Sequence, residues 1–299
     1  MLSDKVCVVA GGGHGLGEAV AVHLGELGAK VVVNDLGTSV HGEGKNKEPA
    51  QETVQRIRDN GGTATAHFGD ITSLDYTERL VSDAVDEYGR VDGAVNFAGI
   101  LRDSMSHKMS GEEWDDVIRV HLRGHFALLR NLASYWRETA KDEEQDVESQ
   151  RSFLSVTSQS ALGNVGQLNY SAAKAGVLGL TRTGARELQR YNVRVNALMP
   201  SAYTRMTETI PEEYRPYTEK EMPPEKVAPM VAFLMSDHAE DITGCTIKAG
   251  GDEVGLVSDP DIYRIGIQEG GWTAEGLAEK FRDKVARGED LERTDSVFL

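Results

Sequence analysis

A tyrosine and a lysine lie four residues apart in the stretch NYSAAKAG, residues 169–176 of a 299-residue chain. The stretch predicts a helix, on which Tyr170 and Lys174 would share one face at about 5 to 6 Å. A phenol has a pKa of about 10 and exchanges protons poorly at neutral pH, but a nearby ammonium stabilises the phenolate. The pair therefore indicates a proton-transfer site in which Lys174 lowers the pKa of Tyr170. The spacing alone is more typical of a surface pair, so the rest of the chain must decide.

A glycine-rich turn, AGGGHGLGEA at residues 10–19, joins the first predicted strand to a helix. Gly11, Gly15 and Gly17 leave backbone N–H groups bare at a helix N-terminus, where the helix dipole favours the pyrophosphate of a dinucleotide. Asp35 ends the second predicted strand about 20 residues later, where a carboxylate accepts both hydroxyls of a ribose and repels a 2′-phosphate. The sequence therefore favours NAD over NADP as the cofactor.

Short apolar runs alternate with helical stretches, which is typical of a parallel sheet with helices on both faces. Runs that are apolar throughout indicate strands buried on both sides. The predicted strands cover residues 5–11, 30–35, 63–70, 91–99, 152–158, 193–200 and 245–251. The predicted helices cover residues 15–28, 49–60, 74–88, 113–137, 168–191 and 224–236. The fold class is α/β, a doubly wound Rossmann fold with a seven-stranded parallel sheet.

The length favours one domain over residues 1–299, in which 256–299 form a C-terminal extension packed on the rest. Within that extension, residues 273–285 predict an amphipathic helix behind a threonine cap. This helix could lie over a substrate cleft, at a subunit contact or simply on the surface. Residues 138–151 are dense in charge and predict a solvated loop or the frayed end of a long helix.

Composition bounds the possible partners and the compartment. The chain has 48 acidic and 32 basic residues, a net charge of -16, which disfavours nucleic acid and anionic membranes as partners. Cys7 and Cys245 lie far apart, so neither a disulfide framework nor a metal site is predicted. The N-terminus enters a strand almost at once, which predicts no signal peptide and a cytoplasmic location. The acidity fits a very salty cytoplasm and an ordinary acidic enzyme equally well.

The glycine spacing G-x-x-x-G-x-G resembles the turn of the short-chain dehydrogenase/reductase family. The segments GDIT (69–72), NFAG (96–99) and NALMP (196–200) are similar to family segments, and Tyr170 and Lys174 match its Y-x-x-x-K. The resemblance implies an NAD-dependent oxidoreductase acting on CH–OH donors. It also implies cofactor contacts from Gly11, His14, Gly15, Leu16, Gly17, Asp35, Asp70, Ile71, Asn96, Ala98, Gly99, Tyr170, Lys174, Pro200 and Ala202.

The resemblance also implies the catalytic roles. Tyr170 takes the alcohol proton, Lys174 lowers its pKa and holds the nicotinamide ribose, and Ser158 orients the substrate oxygen. The separation of Ser158 from Tyr170 is one residue shorter than is usual in the family, which makes Thr157 an alternative hydroxyl. His121 stands where the family tends to have an asparagine that carries a relay water. It could do the same work by hydrogen bonding or merely pack in a polar niche.

Several stretches, including AGILRD (98–103) and RVHLRGHF (119–126), resemble the dehydrogenase portions of peroxisomal multifunctional enzymes. This narrower resemblance implies a (3R)-hydroxyacyl-CoA substrate and a homodimer or homotetramer. The loop at residues 201–224, with its apolar side chains Met206, Ile210, Tyr214 and Tyr217, is suited to closing over an acyl chain. The cations that could hold the anionic CoA are Arg102, Lys108, Arg123 and Arg205.

Three alternatives remain open at this stage. One is a dehydrogenase of another secondary alcohol, such as a steroid or a hydroxy acid. Another is a reductase of the 3-oxoacyl type, and the third is a nucleotide-binding sensor without turnover.

Overall fold

The computed structural model describes residues 1–141, 150–258, 260–262 and 264–289, and places the strands close to their predicted positions. The charged stretch at 138–151, predicted as a loop or a frayed helix end, falls largely on residues 142–149, which lie outside the described ranges. The strands are β1 Val6–Ala10, β2 Lys30–Asp35, β3 Thr63–Phe68, β4 Gly93–Asn96, β5 Arg151–Val156, β6 Val193–Pro200, β7 Thr246–Gly250 and β8 Glu253–Val257.

The strands form one sheet in the order β3-β2-β1-β4-β5-β6-β7-β8. Strands β1 to β7 are parallel, and the chain reverses its winding direction at β1, which lies between β2 and β4. The predicted doubly wound α/β fold is therefore confirmed. The predicted count of seven strands differs from the structure, because β8 adds an eighth strand, antiparallel to β7. The missed signal is the two-residue hairpin connection at Gly251 and Asp252, where Gly251 has a φ of +54°.

Helices cover both faces of the sheet. Those with residues in the two cores are α1 Gly15–Glu26, α2 Glu48–Asp59 and α8 Ala228–Met235 on one face, and α3 Leu74–Tyr88, α5 Gly124–Thr139 and α6 Leu168–Leu188 on the other. The described chain also forms α4 Gly111–Val117, α7 Arg205–Glu208 and α9 Ala274–Lys284. The long helix predicted over 113–137 is interrupted, because a π-helical segment at Ile118–Arg123 separates α4 from α5. The start of α4 is fixed by a capping box between Ser110 and Glu113.

Two apolar cores flank the sheet, because alternate side chains of each strand point to opposite faces. Cys7 and Val9 of β1 contribute to the core beneath α1, α2 and α8. Val6 and Val8 contribute to the core beneath α3, α5 and α6. The five residues of β1 are all buried, as the apolar run predicts. Because the strands are buried on both faces of the sheet, their carboxyl ends are held in place, and the cleft described below lies at those ends.

The chain divides into two compact units, one from Met1 to Val257 and one that begins at Ser258. The extension predicted from residue 256 therefore begins two residues later, because Leu256 and Val257 are the end of β8. In the second unit the predicted helix is confirmed as α9, with Thr273 Oγ1 accepting a hydrogen bond from the N–H of Gly276. That the extension packs on the rest of a single domain stays a prediction.

Candidate active site

A cleft of about 320 Å³ opens at the carboxyl ends of the central strands. A doubly wound sheet offers its ligand site at this edge, where the strand order reverses. The cleft is lined by every predicted catalytic and cofactor residue except Asn96. Asn96 is wholly buried behind the cleft wall, where its Oδ1 accepts from the N–H of Ala98 at 3.0 Å. It shapes the turn after β4 without facing the cleft.

The glycine turn is built so closely that side chains are excluded at two of its positions. A Cβ at Gly17 would lie 2.0 Å from the carbonyl oxygen of Gly11, and one at Gly11 would lie 2.4 Å from the backbone nitrogen of Ala98. Gly11 also has a φ of +69°, which favours glycine. The bare backbone at the start of α1 is thus open to an anion, as a dinucleotide pyrophosphate requires.

Asp35 is held at the end of β2 by backbone hydrogen bonds to both of its carboxylate oxygens. Oδ2 accepts from the N–H of Gly13 at 2.8 Å, and Oδ1 accepts from the N–H of Gly37 at 2.7 Å. Two N–H donors on different oxygens hold the carboxylate group in one orientation. This arrangement places the carboxylate of Asp35 in the wall of the cleft next to the glycine turn.

Tyr170 and Lys174 lie together on α6, as the spacing predicts, with the Lys174 ammonium 5.5 Å from the centre of the Tyr170 ring. Burial raises the pKa of Tyr170 to about 12, and a hydrogen bond from Ser158 opposes this only in part. Burial also lowers the pKa of Lys174 to about 7. The predicted lowering of the tyrosine pKa is therefore wrong for the protein by itself, because removal from water disfavours both charged forms.

The two alternative hydroxyls after β5 have different environments. Thr157 is buried, and its Oγ1 donates to the carbonyl oxygen of Lys174 at 2.9 Å, which fastens the end of β5 to α6. Ser158 accepts from the N–H of Ser160 at 3.2 Å, and its hydroxyl is the one that hydrogen-bonds to Tyr170. This geometry favours Ser158, since the Thr157 proton is already used by the backbone of α6.

His121 lies in the π-helical segment, is 1% exposed and packs edge-on against the Tyr170 ring at a centroid distance of 4.9 Å. Its Nε2 faces the backbone of Ile100, 2.9 Å from the oxygen and 3.1 Å from the nitrogen. Its Nδ1 is buried and has no hydrogen-bond partner among the described residues. Burial and the nearby Lys174 lower the pKa of His121 well below its usual value, so the ring is neutral.

Sequence reasoning missed two features of the site. Arg119 forms ion pairs with Asp70 at 3.4 Å and Asp116 at 3.3 Å, so a cation lies beside Asp70, one of the predicted cofactor contacts. His125, four residues after His121, is wholly buried and contacts the end of β5. The sequence HLRGH at residues 121–125 shows a second histidine four residues after His121, but only the folded backbone shows which groups the His125 ring contacts.

The predicted cationic rim is only partly assembled. Arg102 and Arg205 line the cleft, whereas Lys108 and Arg123 are not among its lining residues. Arg102 also forms a long ion pair with Asp116, at 3.7 Å. Lys108 is exposed, and Arg123 donates to the carbonyl oxygen of Thr72 at 3.1 Å. Only two of the four cations therefore remain candidates for holding an anionic ligand.

The segment after β6 forms one side of the cleft. Met206 and Tyr217 line it, whereas Tyr214 is 73% exposed and Ile210 lies outside the lining. The segment is tied back by the Tyr217 hydroxyl, which donates to the carbonyl oxygen of Ala202 at 3.3 Å. It is also tied by the N–H of Tyr203, which donates to Met222. Two of the four apolar side chains predicted for this wall therefore lie on it.

The chain belongs to the short-chain dehydrogenase/reductase family. The model of the family described as short chain dehydrogenase matches residues 5–215. This match, the doubly wound fold and the cleft that contains both the glycine turn and Tyr170 make the protein an oxidoreductase of a family that binds nicotinamide cofactors. Within the described ranges, every helix is too short or too polar to span a bilayer.

Similar proteins include hydroxyacyl-CoA dehydrogenases. The chain is 40% identical over 301 residues to the hydroxyacyl-CoA dehydrogenase ChsB1 of Mycobacterium tuberculosis, covering 99% of this chain and 93% of that one. It is 41% identical over 241 residues to the peroxisomal multifunctional enzyme type 2 of Mus musculus, covering 80% of this chain and 31% of that one. The predicted resemblance to the dehydrogenase part of that enzyme is confirmed.

A solved structure gives the same architecture. The crystal structure of a short chain dehydrogenase from Mycobacterium avium superposes with a TM-score of 0.83 at 36% identity, over 95% of each chain. That protein therefore shares the doubly wound fold on which the cleft of this chain is built.

Proposed function

We propose that the protein oxidises the hydroxyl of a (3R)-hydroxyacyl-CoA to a ketone with NAD as hydride acceptor. One observation carries this proposal: a single cleft contains the glycine turn, Asp35 and the group Ser158, Tyr170 and Lys174. A dinucleotide held by the first part would have its far end beside the second. Hydride from the carbinol carbon goes to the cofactor, and the hydroxyl proton goes to the protein.

The residues at the glycine turn fit NAD. Gly11 and Gly17 admit no side chain, and the carboxylate of Asp35 suits an unphosphorylated ribose. Gly15, Leu16, Ala98 and Pro200 complete the walls of the cleft. When bound, NAD supplies the hydride acceptor and a positively charged ring, and a positive charge favours the phenolate of a nearby tyrosine.

Tyr170 exchanges the proton with the substrate oxygen, and Ser158, whose hydroxyl lies beside that of Tyr170, orients the same oxygen by hydrogen bonding. Lys174 shares the face of Tyr170, and its amine can take up or release a proton near neutral pH, since burial lowers its pKa to about 7. His121 packs against the Tyr170 ring, and its buried Nδ1 has no hydrogen-bond partner among the described residues. The neutral ring adds no positive charge beside the phenol.

The acyl-CoA assignment is supported by ChsB1 and by the mouse enzyme, whose matched part is the dehydrogenase region. It is also supported by Arg102 and Arg205 at the cleft, because CoA carries phosphates and the chain has a net charge of -16. Met206 and Tyr217 offer an apolar wall to the acyl group.

We also propose a cytoplasmic enzyme that forms a homodimer or homotetramer.

A second candidate is the reverse reaction on a carrier-protein thioester. The chain is 34% identical to the 3-oxoacyl-[acyl-carrier-protein] reductase FabG of Thermotoga maritima and covers 98% of its length. This reaction uses the same proton donor, and it differs in direction and in the carrier of the acyl group.

Both candidates are tested by following NADH absorbance with each enantiomer of 3-hydroxybutyryl-CoA, and then the reduction of acetoacetyl thioesters on CoA and on carrier protein. We expect turnover of the R form with NAD and little with NADP. Turnover of the S form alone would contradict the proposed substrate. Absence of turnover with both forms, combined with efficient NADPH-dependent reduction of the carrier-protein thioester, would favour the reductase.

A further inference from the structure

The histidine in the first turn of α5, His125, has no exposed surface and does not line the cleft. Burial and the nearby Lys174 lower its pKa to about 3, so the ring is neutral at physiological pH. A neutral imidazole in such a place needs one donor and one acceptor, because a buried polar atom without a partner destabilises the fold. Two backbone groups of the active-site region hydrogen-bond to the ring of His125, and Nδ2 of the Asn96 side chain lies 3.4 Å from its Nδ1.

Both ring nitrogens are occupied in one tautomer. Nδ1 donates to the carbonyl oxygen of His121 at 2.5 Å, and Nε2 accepts from the N–H of Val156 at 3.0 Å. Since an N–H of the backbone can only donate, Nε2 carries no hydrogen and Nδ1 carries it. His125 thus links the π-helical segment to the end of β5.

The N–H of Val156 needs this partner because the sheet opens at that point. The N–H of Thr157 donates to Leu198 of β6, so the N–H of Val156, one residue earlier, faces the opposite neighbour, β4. The pairing of β4 with β5 ends at Val95 and Leu154, two residues before Val156. The His125 ring fills the position that a continuing strand would occupy.

The same residue, Val156, binds the ammonium of Lys174. Its carbonyl oxygen accepts from Lys174 Nζ at 2.8 Å. Among the described residues, the carbonyl oxygen of Val156 is the one hydrogen-bond acceptor of Lys174 Nζ. Val156 is therefore fixed by two side chains, with His125 on its N–H and Lys174 on its carbonyl.

We propose that His125 is a positioning residue for Lys174, which it serves by fixing Val156 at the opening of the sheet. This inference rests on the proposed function, in which Lys174 assists Tyr170. The groups facing the ammonium are Tyr170 on α6, His121 on the π-helical segment, His125 on α5 and Val156 on β5. Both histidines are neutral, so the Val156 carbonyl is the main group that stabilises the ammonium against burial.

The test compares two replacements of the ring. His125→Val removes both hydrogen bonds, whereas His125→Gln keeps one donor and one acceptor on a side chain of similar reach. Thr139→Val is the matched control, because Thr139 is a buried α5 residue whose hydroxyl donates to the carbonyl oxygen of Tyr135 in its own helix. If H125V does not fold, H125L replaces it with a side chain of larger volume.

The first measurement needs no substrate. The Nζ of Lys174 is titrated by NMR in protein labelled with ¹⁵N-lysine, and its signal is assigned by its absence in Lys174→Arg. We expect the titration midpoint to fall by about one pH unit in H125V, because the ammonium loses a well-oriented acceptor. H125Q should restore most of the shift, and T139V should leave it unchanged.

The second measurement is kcat against pH with the substrate identified above. We expect H125V to lower kcat about 10-fold at pH 7 and to move the profile in the same direction as the lysine midpoint, with the Kd for NAD within about twofold. An unchanged Lys174 midpoint in H125V would overturn the inference, whatever the turnover. Absence of turnover in the wild-type enzyme would instead overturn the proposed function, and the NMR titration would still decide the role of His125.

Discussion

The two ends of the cleft are built by different means. The end proposed to bind the nucleotide, here called the nucleotide end, consists of backbone and one carboxylate from residues 11–35. The oxygens of Asp35 accept hydrogen bonds from the N–H groups of Gly13 and Gly37. The catalytic end collects side chains from the π-helical segment, from the residues after β5 and from α6. His121 and Lys174 are buried there and Tyr170 is half-buried, and the pKa values of all three move toward the neutral forms.

This difference has an energetic consequence. At the nucleotide end, close backbone packing provides binding groups at little cost in stability, because no charge is removed from water without partners. At the catalytic end, a lysine and a tyrosine are held away from water, which destabilises their ionised forms. The first end is therefore sensitive to volume, and the second is sensitive to charge and hydrogen bonding.

The largest expected effect belongs to the catalytic end alone. Tyr170→Phe should lower kcat about 1,000-fold, because the proton acceptor is lost, while the Kd for NAD stays nearly unchanged. Tyr214→Phe is the control, since Tyr214 is exposed on the segment after β6 and does not line the cleft. Steady-state kinetics and calorimetry of NAD binding measure the two quantities. An active Y170F enzyme would remove Tyr170 from the mechanism.

The nucleotide end should respond to one added methyl group. Gly17→Ala brings a Cβ to 2.0 Å from the carbonyl oxygen of Gly11, so the turn must shift, and we expect the Kd for NAD to rise about 100-fold. Gly179→Ala adds the same methyl group to α6, at a position where no described atom beyond its chain neighbours and the nearby backbone of its own helix lies within 4 Å. That control should bind NAD normally and gain slightly in helix stability. Calorimetry and thermal unfolding distinguish the two, and equal binding by both variants would refute the close fit.

A smaller effect should follow from removing one charge at the nucleotide end. Asp35→Asn keeps the size of the side chain and loses its negative charge, so we expect the preference for NAD over NADP to fall about 10-fold. Asp86→Asn, on the exposed face of α3, is the matched loss of an acidic charge. Kd values for both cofactors give the ratio. A preference as strong in D35N as in the wild type would show that Asp35 does not select the cofactor.

The smallest expected effect is on the stability of the folded protein, which the burial of the Lys174 amine lowers. The pKa of Lys174 is about 7 in the folded protein, against 10.5 for a lysine in water, so between these values the unfolded chain binds more protons. Burial of the amine therefore destabilises the fold most below pH 7, and this cost disappears as the pH rises toward 10.5. Lys174→Met removes this cost and also removes the hydrogen bond from Nζ to the carbonyl oxygen of Val156. We expect the net effect to be a free energy of unfolding that is higher by about 1 kcal/mol at pH 6.

Denaturant unfolding of wild type and K174M between about pH 6 and pH 10 measures this gain. The gain should shrink with rising pH. A constant difference across that range would mean that the ammonium is not destabilised by burial, in conflict with the low pKa assigned to Lys174.

The amino-acid sequence by itself determined the doubly wound fold, the glycine turn, Asp35 and the pairing of Tyr170 with Lys174. Each of these depends on local spacing or on alternation along one element, which the order of residues encodes directly. The hairpin strand β8 and the π-helical break at Ile118–Arg123 were missed, because short irregular elements have weak local signals.

Only the tertiary structure decided the state of the catalytic side chains. The Thr157 hydroxyl donates to the backbone of α6, whereas the Ser158 hydroxyl lies beside Tyr170. The His125 ring accepts a hydrogen bond from the N–H of Val156. The tertiary structure also reversed the expected shift of the Tyr170 pKa. The physical reason is that a pKa depends on how far a group is removed from water by residues distant in the chain, and spacing along one helix carries no measure of that burial.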